Sequence, residues 1–325
     1  MPEPAPPIPD LPLHLLEVRA CLDYVKVASP VRLTAVFPRT RRFRWTSEDR
    51  GSAPTHLLTV HDPTSQELHR VFMELHNPPL FEFELSVDFW PATGTPSAAR
   101  KDLLKLTFRA LSARFRPDDE LKFGAGMKAA HTSKGSGRPF HERLPAPNEH
   151  LIYGHRGEGH NAKLYFKQGD DGEALPIESQ RVRLETRVRG NGCLELGFQR
   201  LGDLADRGLR RHLCKVFRIV DRPEVRRRSR FSAERIAELE DQMETAWRRA
   251  GVNAFSPGPL PTDASAIARS AARFREDRLL SLALYRLRRH TDAHEAIGQA
   301  IRRLERQLRA TFAVKTARSA SASML

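Results

Sequence analysis

Tyr165 stands between Lys163 and Lys167 in the segment NAKLYFKQGDDG, residues 161–172, and is one of four tyrosines in the chain. A phenol has a pKa of about 10 and is a weak nucleophile while protonated. Nearby ammonium groups or a metal ion favour the phenolate and make it a stronger one. The chemistry open to such a residue is phosphodiester cleavage by tyrosine, with Lys163, Lys167 and Arg183 holding phosphates and polarising the phenol. Two other segments supply carboxylates. FEFELSVDFW, residues 81–90, carries Glu84 and Asp88, and RVRLETRV, residues 181–188, carries Arg183 and Glu185. Glu84, Asp88 and Glu185 are oxygen ligands suited to Mg2+ or Mn2+, which would bind a phosphate oxygen and offset developing charge.

Three strands must position these groups. Residues 81–90 alternate cleanly, with Phe81, Phe83, Leu85, Val87 and Phe89 on one face and Glu82, Glu84, Ser86, Asp88 and Trp90 on the other. AKLYFK places Ala162, Leu164 and Phe166 opposite Lys163, Tyr165 and Lys167. RVRLETRV places Val182, Leu184, Thr186 and Val188 opposite Arg181, Arg183, Glu185 and Arg187. If the three strands share a sheet, their polar rows can lie on one face. The plain alternative is a solvated sheet face with an ion-pair ladder and a half-exposed tyrosine.

The rest of the chain predicts an α+β protein. Short apolar runs from CLDYVKVASP to VRLTAVFP read as early strands. SAARKDLLKLTFRALSARF reads as a helix with Ser97 as N-cap, ended by Pro117. Residues 124–150, rich in Gly, Pro and Ser, read as a long loop. QGDDG and GNG are turns, and a helix is expected from about Leu201 to Val220. Residues 233–250 form an amphipathic pattern with Ser232 as N-cap and Gly251 past its end. NAFSPGPLPTD is a linker, and residues 265–312 read as one or two long Arg-rich helices that include Tyr285. The expected division is a Pro-rich disordered leader over 1–20, a cleavage domain over 21–225 and a basic helical DNA-binding or dimerisation region over 226–325. No internal repeat is visible.

Composition restricts the partners. The 325 residues carry a formal net charge of +14 with a sequence pI near 10.3. Residues 226–325 hold twenty Lys and Arg against eleven Asp and Glu, a local excess of about +9. This favours a polyanion, nucleic acid ahead of membrane. Arg187, Arg286, Arg288 and Arg289 are candidate DNA contacts, the last three in ALYRLRRH, which is consistent with a recognition helix. The alternative is a solvated helical bundle with surface arginines. Cys21, Cys193 and Cys214 are far apart and form no CxxC pair, which argues against a zinc site or a disulfide framework and for a reducing cytoplasm. No apolar run is long enough for a transmembrane helix, and MPEPAPPIPDLP lacks the pattern of a secretory signal.

In order, FELSVDFW, a helix, YGHRGEGHNAKLYFKQ and RVRLETRV resemble the motifs of the replication initiation factor family, the rolling-circle initiators of some plasmids and filamentous phages. That family shows an acidic strand with carboxylates four apart, a Tyr-X-Gly segment, an Arg/Lys-X-Tyr-X-Lys strand and an Arg-hydrophobic-Glu strand. Here these are Glu84 and Asp88; Tyr153 and Gly154; Lys163, Tyr165 and Lys167; Arg183 and Glu185. Glu84 stands where Asp is common and Lys163 where Arg is. The resemblance spans about residues 21 to 220. It implies a fold related to HUH endonucleases, single or duplicated, with an antiparallel sheet flanked by helices. It implies nicking of origin DNA through a 5′-phosphotyrosine that leaves a 3′-hydroxyl for synthesis. A host helicase and a second copy of the chain are candidate partners.

No His-hydrophobic-His pair occurs, because His56 and His61 in HLLTVH cannot share a strand face. His155 and His160 flank the glycine turn before Tyr165, where contact with metal or DNA competes with plain solvent exposure. Tyr153 is the rival nucleophile, while Tyr24 and Tyr285 read as packing. The reading of another class is a DNA-binding regulator on the same fold that cuts nothing, its acidic row serving stability.

Overall fold

The structure, a computed structural model, describes residues 11–49, 54–113, 121–125, 130–132, 149–153, 159–170, 173–210, 217–250, 255–256, 280–281 and 284–313. Its centre is a nine-stranded sheet in which every pairing is antiparallel. The strands are β1 (Leu16–Ser29), β2 (Phe43–Asp49), β3 (Pro54–His61), β4 (Leu80–Pro91), β6 (Leu121–Ala125), β7 (Ala130–Thr132), β8 (Glu149–Tyr153), β9 (His160–Lys167) and β12 (Arg181–Arg189). Shorter strands are β5 (Leu111–Ala113), β10 (Gly169–Asp170), β11 (Glu173–Ala174) and β13 (Phe217–Ile219). The spatial order is β2-β3-β1-β4-β12-β9-β8-β6-β7, which puts the three strands singled out from the sequence side by side.

The helices are α1 (Ser65–Glu74), α2 (Ser97–Ala110), the short α3 (Asn191–Glu195) and α4 (Asp203–Asp206), then helices at Ala233–Ala250 and Thr291–Ala313. Thr64 and Glu67 close a capping box at the start of α1. The apolar row of β4 (Phe83, Leu85, Val87 and Phe89) packs with Leu104 and Phe108 of α2 and with Ile297, Ile301 and Leu308 of the C-terminal helix in one core. The architecture is therefore α+β, an antiparallel sheet flanked by helices, as expected. Its C-terminal helix belongs to the main core, whereas helix Ala233–Ala250 packs through Leu239, Met243 and Trp247 against Tyr285 in a smaller cluster.

Several local expectations are corrected. β1 starts at Leu16, inside the stretch expected as leader, because Leu16 already pairs with Pro91. VRLTAVFP is a turn region rather than a strand, and it drops Phe37 into the core. α2 starts at Ser97 with Pro96 as N-cap and stops at Ala110, where Leu111 enters β5. β5 pairs with β13, so the stretch expected as a single helix over 201–220 holds the one-turn α4, helical backbone at 209–210 and a strand at Phe217–Ile219, with 211–216 outside the described residues. Within 124–150 the described residues include β7 and the start of β8.

Tyr285 is not helical. It lies in the two-residue strand Tyr285–Arg286, fully buried, with its hydroxyl 3.3 Å from the Leu239 carbonyl. Tyr285 and Leu287 turn inward while Arg286 and Arg288 are exposed, a period of two rather than 3.6. As expected, the Ser232 hydroxyl caps helix Ala233–Ala250 by accepting from the Arg235 amide. At the end of β12, Gly190 takes a positive φ of 51°. Beyond it, Gly192 lies so close to Gly159 that an added Cβ would sit 2.2 Å from the Gly159 carbonyl oxygen. This close approach and the Arg189 amide to Gly159 bond, 2.9 Å, fix the start of β9 beside β12.

Candidate functional site

The registers assemble the polar face in layers. Arg19, Asp88, Arg183 and Tyr165 lie across β1, β4, β12 and β9 in one row, and Cys21, Ser86, Glu185 and Lys163 in the next. A third row holds Tyr24, Glu84, Arg187 and Asn161. The three polar rows read from the sequence therefore share one face. Glu84, Asp88 and Glu185 are buried there at 7%, 4% and 3% exposure, so this is not a solvated sheet face.

A bulge in β1 adds a residue that alternation does not reveal. Leu22 pairs with Leu85 and Tyr24 with Glu84, which leaves Asp23 as the extra residue. Both Asp23 and Tyr24 then face the polar side, while Leu22, Val25 and Val27 stay in the core. The consequence is a trio: one carboxylate oxygen each from Asp23, Glu84 and Glu185 lie within 4.8 Å of one another.

Asp88, expected among the metal ligands, is engaged elsewhere. Arg183 holds it with two bonds of 2.6 and 2.8 Å, and the Arg181 Nε lies 3.1 Å away. The remaining nitrogen of Arg183 donates to both oxygens of Asp23 at 2.7 and 2.9 Å. Asp23, not Asp88, is thus the third member of the acidic group. The sequence signal was present in CLDYVKV, where Leu22, Val25 and Val27 break strict alternation.

The Tyr165 hydroxyl donates to Oε1 of Glu185, and Lys163 donates to Oε2 at 2.8 Å. Lys163 also lies 3.9 Å from Glu84. Lys167, expected beside the phenol as a phosphate holder, pairs with Asp170 in the following hairpin at 3.1 Å. Arg183 is likewise filled by carboxylates. Of the cations assigned to Tyr165, Lys163 donates to its carboxylate, and Arg183 lies 3.8 Å from the same Glu185 oxygen that accepts from the phenol.

The surroundings drive the ionisations apart. Burial, then the Glu185 charge, pushes Glu84 up to about 8. Burial raises Asp23 to about 6, with Glu185 adding to the rise and Arg183 opposing it. Burial also acts to raise Glu185, yet Lys163, the Tyr165 hydroxyl and Arg183 hold it below the ordinary carboxylate range. The Tyr165 phenol is raised, by burial first and Glu185 second, rather than lowered by its lysines. In these surroundings the phenol stays protonated at neutral pH. Two buried carboxylates and a partly buried third this close repel one another, and a hard divalent cation relieves that repulsion. The donor set, all carboxylate oxygen, fits Mg2+ or Mn2+ better than zinc. Beside it the Ser86 hydroxyl is buried with no hydrogen-bond partner among the described residues.

The other expected positions lie apart. Tyr153 aligns with Ala162, whereas His150 aligns with Tyr165, so the rival tyrosine occupies a register position of the opposite parity. His160 is 3.8 Å from the exposed Glu195, away from the trio, and His155 lies outside the described residues. Arg187 joins the polar face and pairs with Glu82. Arg286, Arg288 and Arg289 are exposed on an extended segment, not on a helix, with Arg288 paired to Glu224 at 3.0 Å.

No family model matches this chain, and no curated protein matches it. A solved structure of a rolling circle replication initiator protein from Geobacillus stearothermophilus is similar at a TM-score of 0.33 and 10% identity, covering 70% of this chain and 97% of that one. Likeness at that level does not bear on activity, and the reading of the site rests on its own geometry. Among the described residues no helix is long and apolar enough to cross a membrane.

Proposed function

We propose that the chain nicks and rejoins one strand of origin DNA through Tyr165, as a rolling-circle replication initiator acting in the cytoplasm. The observation that carries this reading is a phenol hydrogen-bonded to a buried carboxylate that itself belongs to a three-carboxylate group. Asp23, Glu84 and Glu185 would hold Mg2+ or Mn2+, which supplies charge stabilisation at a phosphate oxygen. Tyr165 Oη attacks the phosphorus and the P–O3′ bond breaks. Glu185 already accepts the hydrogen bond of the phenol and is placed to take its proton, and the departing 3′ oxygen takes a proton from water and ends as a hydroxyl. Lys163 offsets charge on the phosphoryl group, while Arg183 positions Asp23 and Asp88. Lys167 and Arg187 are assigned to flanking phosphates, and Arg286, Arg288 and Arg289 to duplex phosphates outside the nicking face.

The test is incubation of supercoiled origin plasmid with the protein and Mn2+, followed by denaturing gel analysis for a covalent protein–DNA adduct. Tyr165→Phe should abolish the adduct while Tyr153→Phe retains it. A second reading, a DNA-binding regulator that cuts nothing, draws on the filling of Arg183 and Lys167 by carboxylates, as in a structural ion-pair network. Salt-sensitive DNA binding with no adduct and no stabilisation by Mn2+ would decide for it.

A further inference from the structure

The polar face continues past the carboxylate trio. One pleat along β4 from Glu84 lies Glu82, fully buried. Tyr24 donates to its Oε1 and Arg187 pairs with the same oxygen. Lys26 reaches Oε2 at 3.1 Å, and the Arg189 Nε lies 3.8 Å from that oxygen. One carboxylate therefore gathers three cations and a phenol, an excess of two positive charges. Two of the cations are also held by an aromatic ring: Lys26 and Arg189 lie over Phe81 at 5.8 and 5.7 Å.

Neutralising Glu82 requires one cation. The others keep part of their surface in solvent, the Lys26 and Arg187 side chains at 22% and Arg189 at 40%. Cations pre-ordered on one buried acid, with an open outer side, make a receptor for a second anion. Arg187 pairs in register with Glu84, so this cluster adjoins the trio directly. Residues two apart on a strand face are separated by about 6.6 Å, close to the step between consecutive phosphates on a nucleic-acid strand.

We propose that Lys26, Arg187 and Arg189, ordered by Glu82, Tyr24 and Phe81, form the subsite for the phosphate adjoining the scissile one on a single DNA strand crossing this face. The placement next to the scissile phosphate rests on the nicking reading above; binding of the strand does not. Lys26 and Arg189 are spokes that can be removed singly, because Glu82 then keeps at least two donors.

The experiment measures anisotropy of a labelled oligothymidylate with the Tyr165→Phe protein, without divalent metal, over a range of salt, beside melting curves for each variant. Lys26→Met and Arg189→Gln should each weaken binding about fivefold and lower the salt slope by about 0.7 for each cation removed. The two together should weaken it about twenty-fold. Glu82→Gln, which removes the negative charge and keeps the shape, should bind the strand more tightly than its parent. Unchanged affinity and slope in the folded Lys26 and Arg189 variants would overturn the subsite, whatever the nicking assay gives. Absence of strand binding by the parent would remove it as well. If strand binding depends on these residues and the protein carrying Tyr165 forms no adduct, the nicking reading fails and the phosphate surface stands.

Discussion

The sheet face carries the same pair twice, a tyrosine hydroxyl donating to a buried glutamate: Tyr165 to Glu185, and Tyr24 to Glu82. Both phenols are raised, with burial the largest cause. What differs is the company. Glu185 sits with Asp23 and Glu84, three acids against two cations, Lys163 and Arg183, and Glu84 is pushed up to about 8. Glu82 sits among Lys26, Arg187 and Arg189, and Tyr24, Lys26 and Arg187 hold its carboxyl low against the effect of burial. The pair alone is thus not a functional signature. The field around it decides whether the local demand is for a cation or for an anion.

The largest expected contrast separates the two phenols. Tyr165→Phe should reduce covalent adduct formation with origin DNA by at least about a thousandfold, as removal of a nucleophile does. Tyr24→Phe should leave it within about threefold. An adduct that persists in Tyr165→Phe and disappears in Tyr24→Phe would reverse the assignment of the two ends. The cations differ comparably in stability. Arg183→Met removes the donor shared by buried Asp88 and partly buried Asp23, leaving Asp88 only the neighbouring Arg181, and should cost about 3–5 kcal/mol in urea unfolding. Arg189→Gln, 40% exposed, should cost at most about 1 kcal/mol. Equal costs would mean that the cationic end is as deeply structural as the acidic one.

Metal binding should recognise one end only. At a hundredfold excess over its dissociation constant, Mn2+ should stabilise the protein by about 2.7 kcal/mol. The shift in melting temperature should vanish in Asp23→Asn and Glu84→Gln and survive in Asp88→Asn and Glu82→Gln. A shift lost in Asp88→Asn and kept in Asp23→Asn would restore Asp88 to the ligand set.

Strict alternation in residues 81–90, 162–167 and 181–188 made the three central strands and their inward faces legible in the sequence, and made a meeting of Tyr165 with Glu185 possible only on the condition of a shared sheet. Alternation fails where the backbone departs from it. The bulge in β1 turns Asp23 and Tyr24 to the same side, which hid both the third carboxylate and the second phenol. Spacing also could not say that Arg183 and Lys167 would be filled by Asp88 and Asp170, since pairing between strands depends on register. Helix ends were lost for a tertiary reason: Leu111 and Ile219 look helical locally, but a strand pairing between β5 and β13 buries both. Around Tyr285 the arginine count suggested a recognition helix and outweighed a short period-two pattern.

The smallest effect tests the electrostatic basis of the comparison. Glu84 and Asp23 have folded values of about 8 and about 6, above their ordinary 4.5 and 3.8. Between the unfolded and folded values the native state binds more protons than the unfolded chain, so stability falls as pH rises. The contribution is complete below about pH 4 and is lost as pH passes the folded values. Glu185 and Glu82, with lowered values, act in the opposite sense and only on acidification. Between pH 6.5 and 7.5 the metal-free protein should therefore lose about 1.4 kcal/mol per pH unit from Glu84, read as a falling urea midpoint. Glu84→Gln should flatten the slope and Glu82→Gln should leave it. Saturating Mn2+ should flatten it as well, because the bound carboxylates are deprotonated in the native state just as they are in the unfolded chain over this range. A slope that persists in Glu84→Gln would mean that the acidic end carries no unrelieved repulsion, and the two ends would then differ in composition but not in demand.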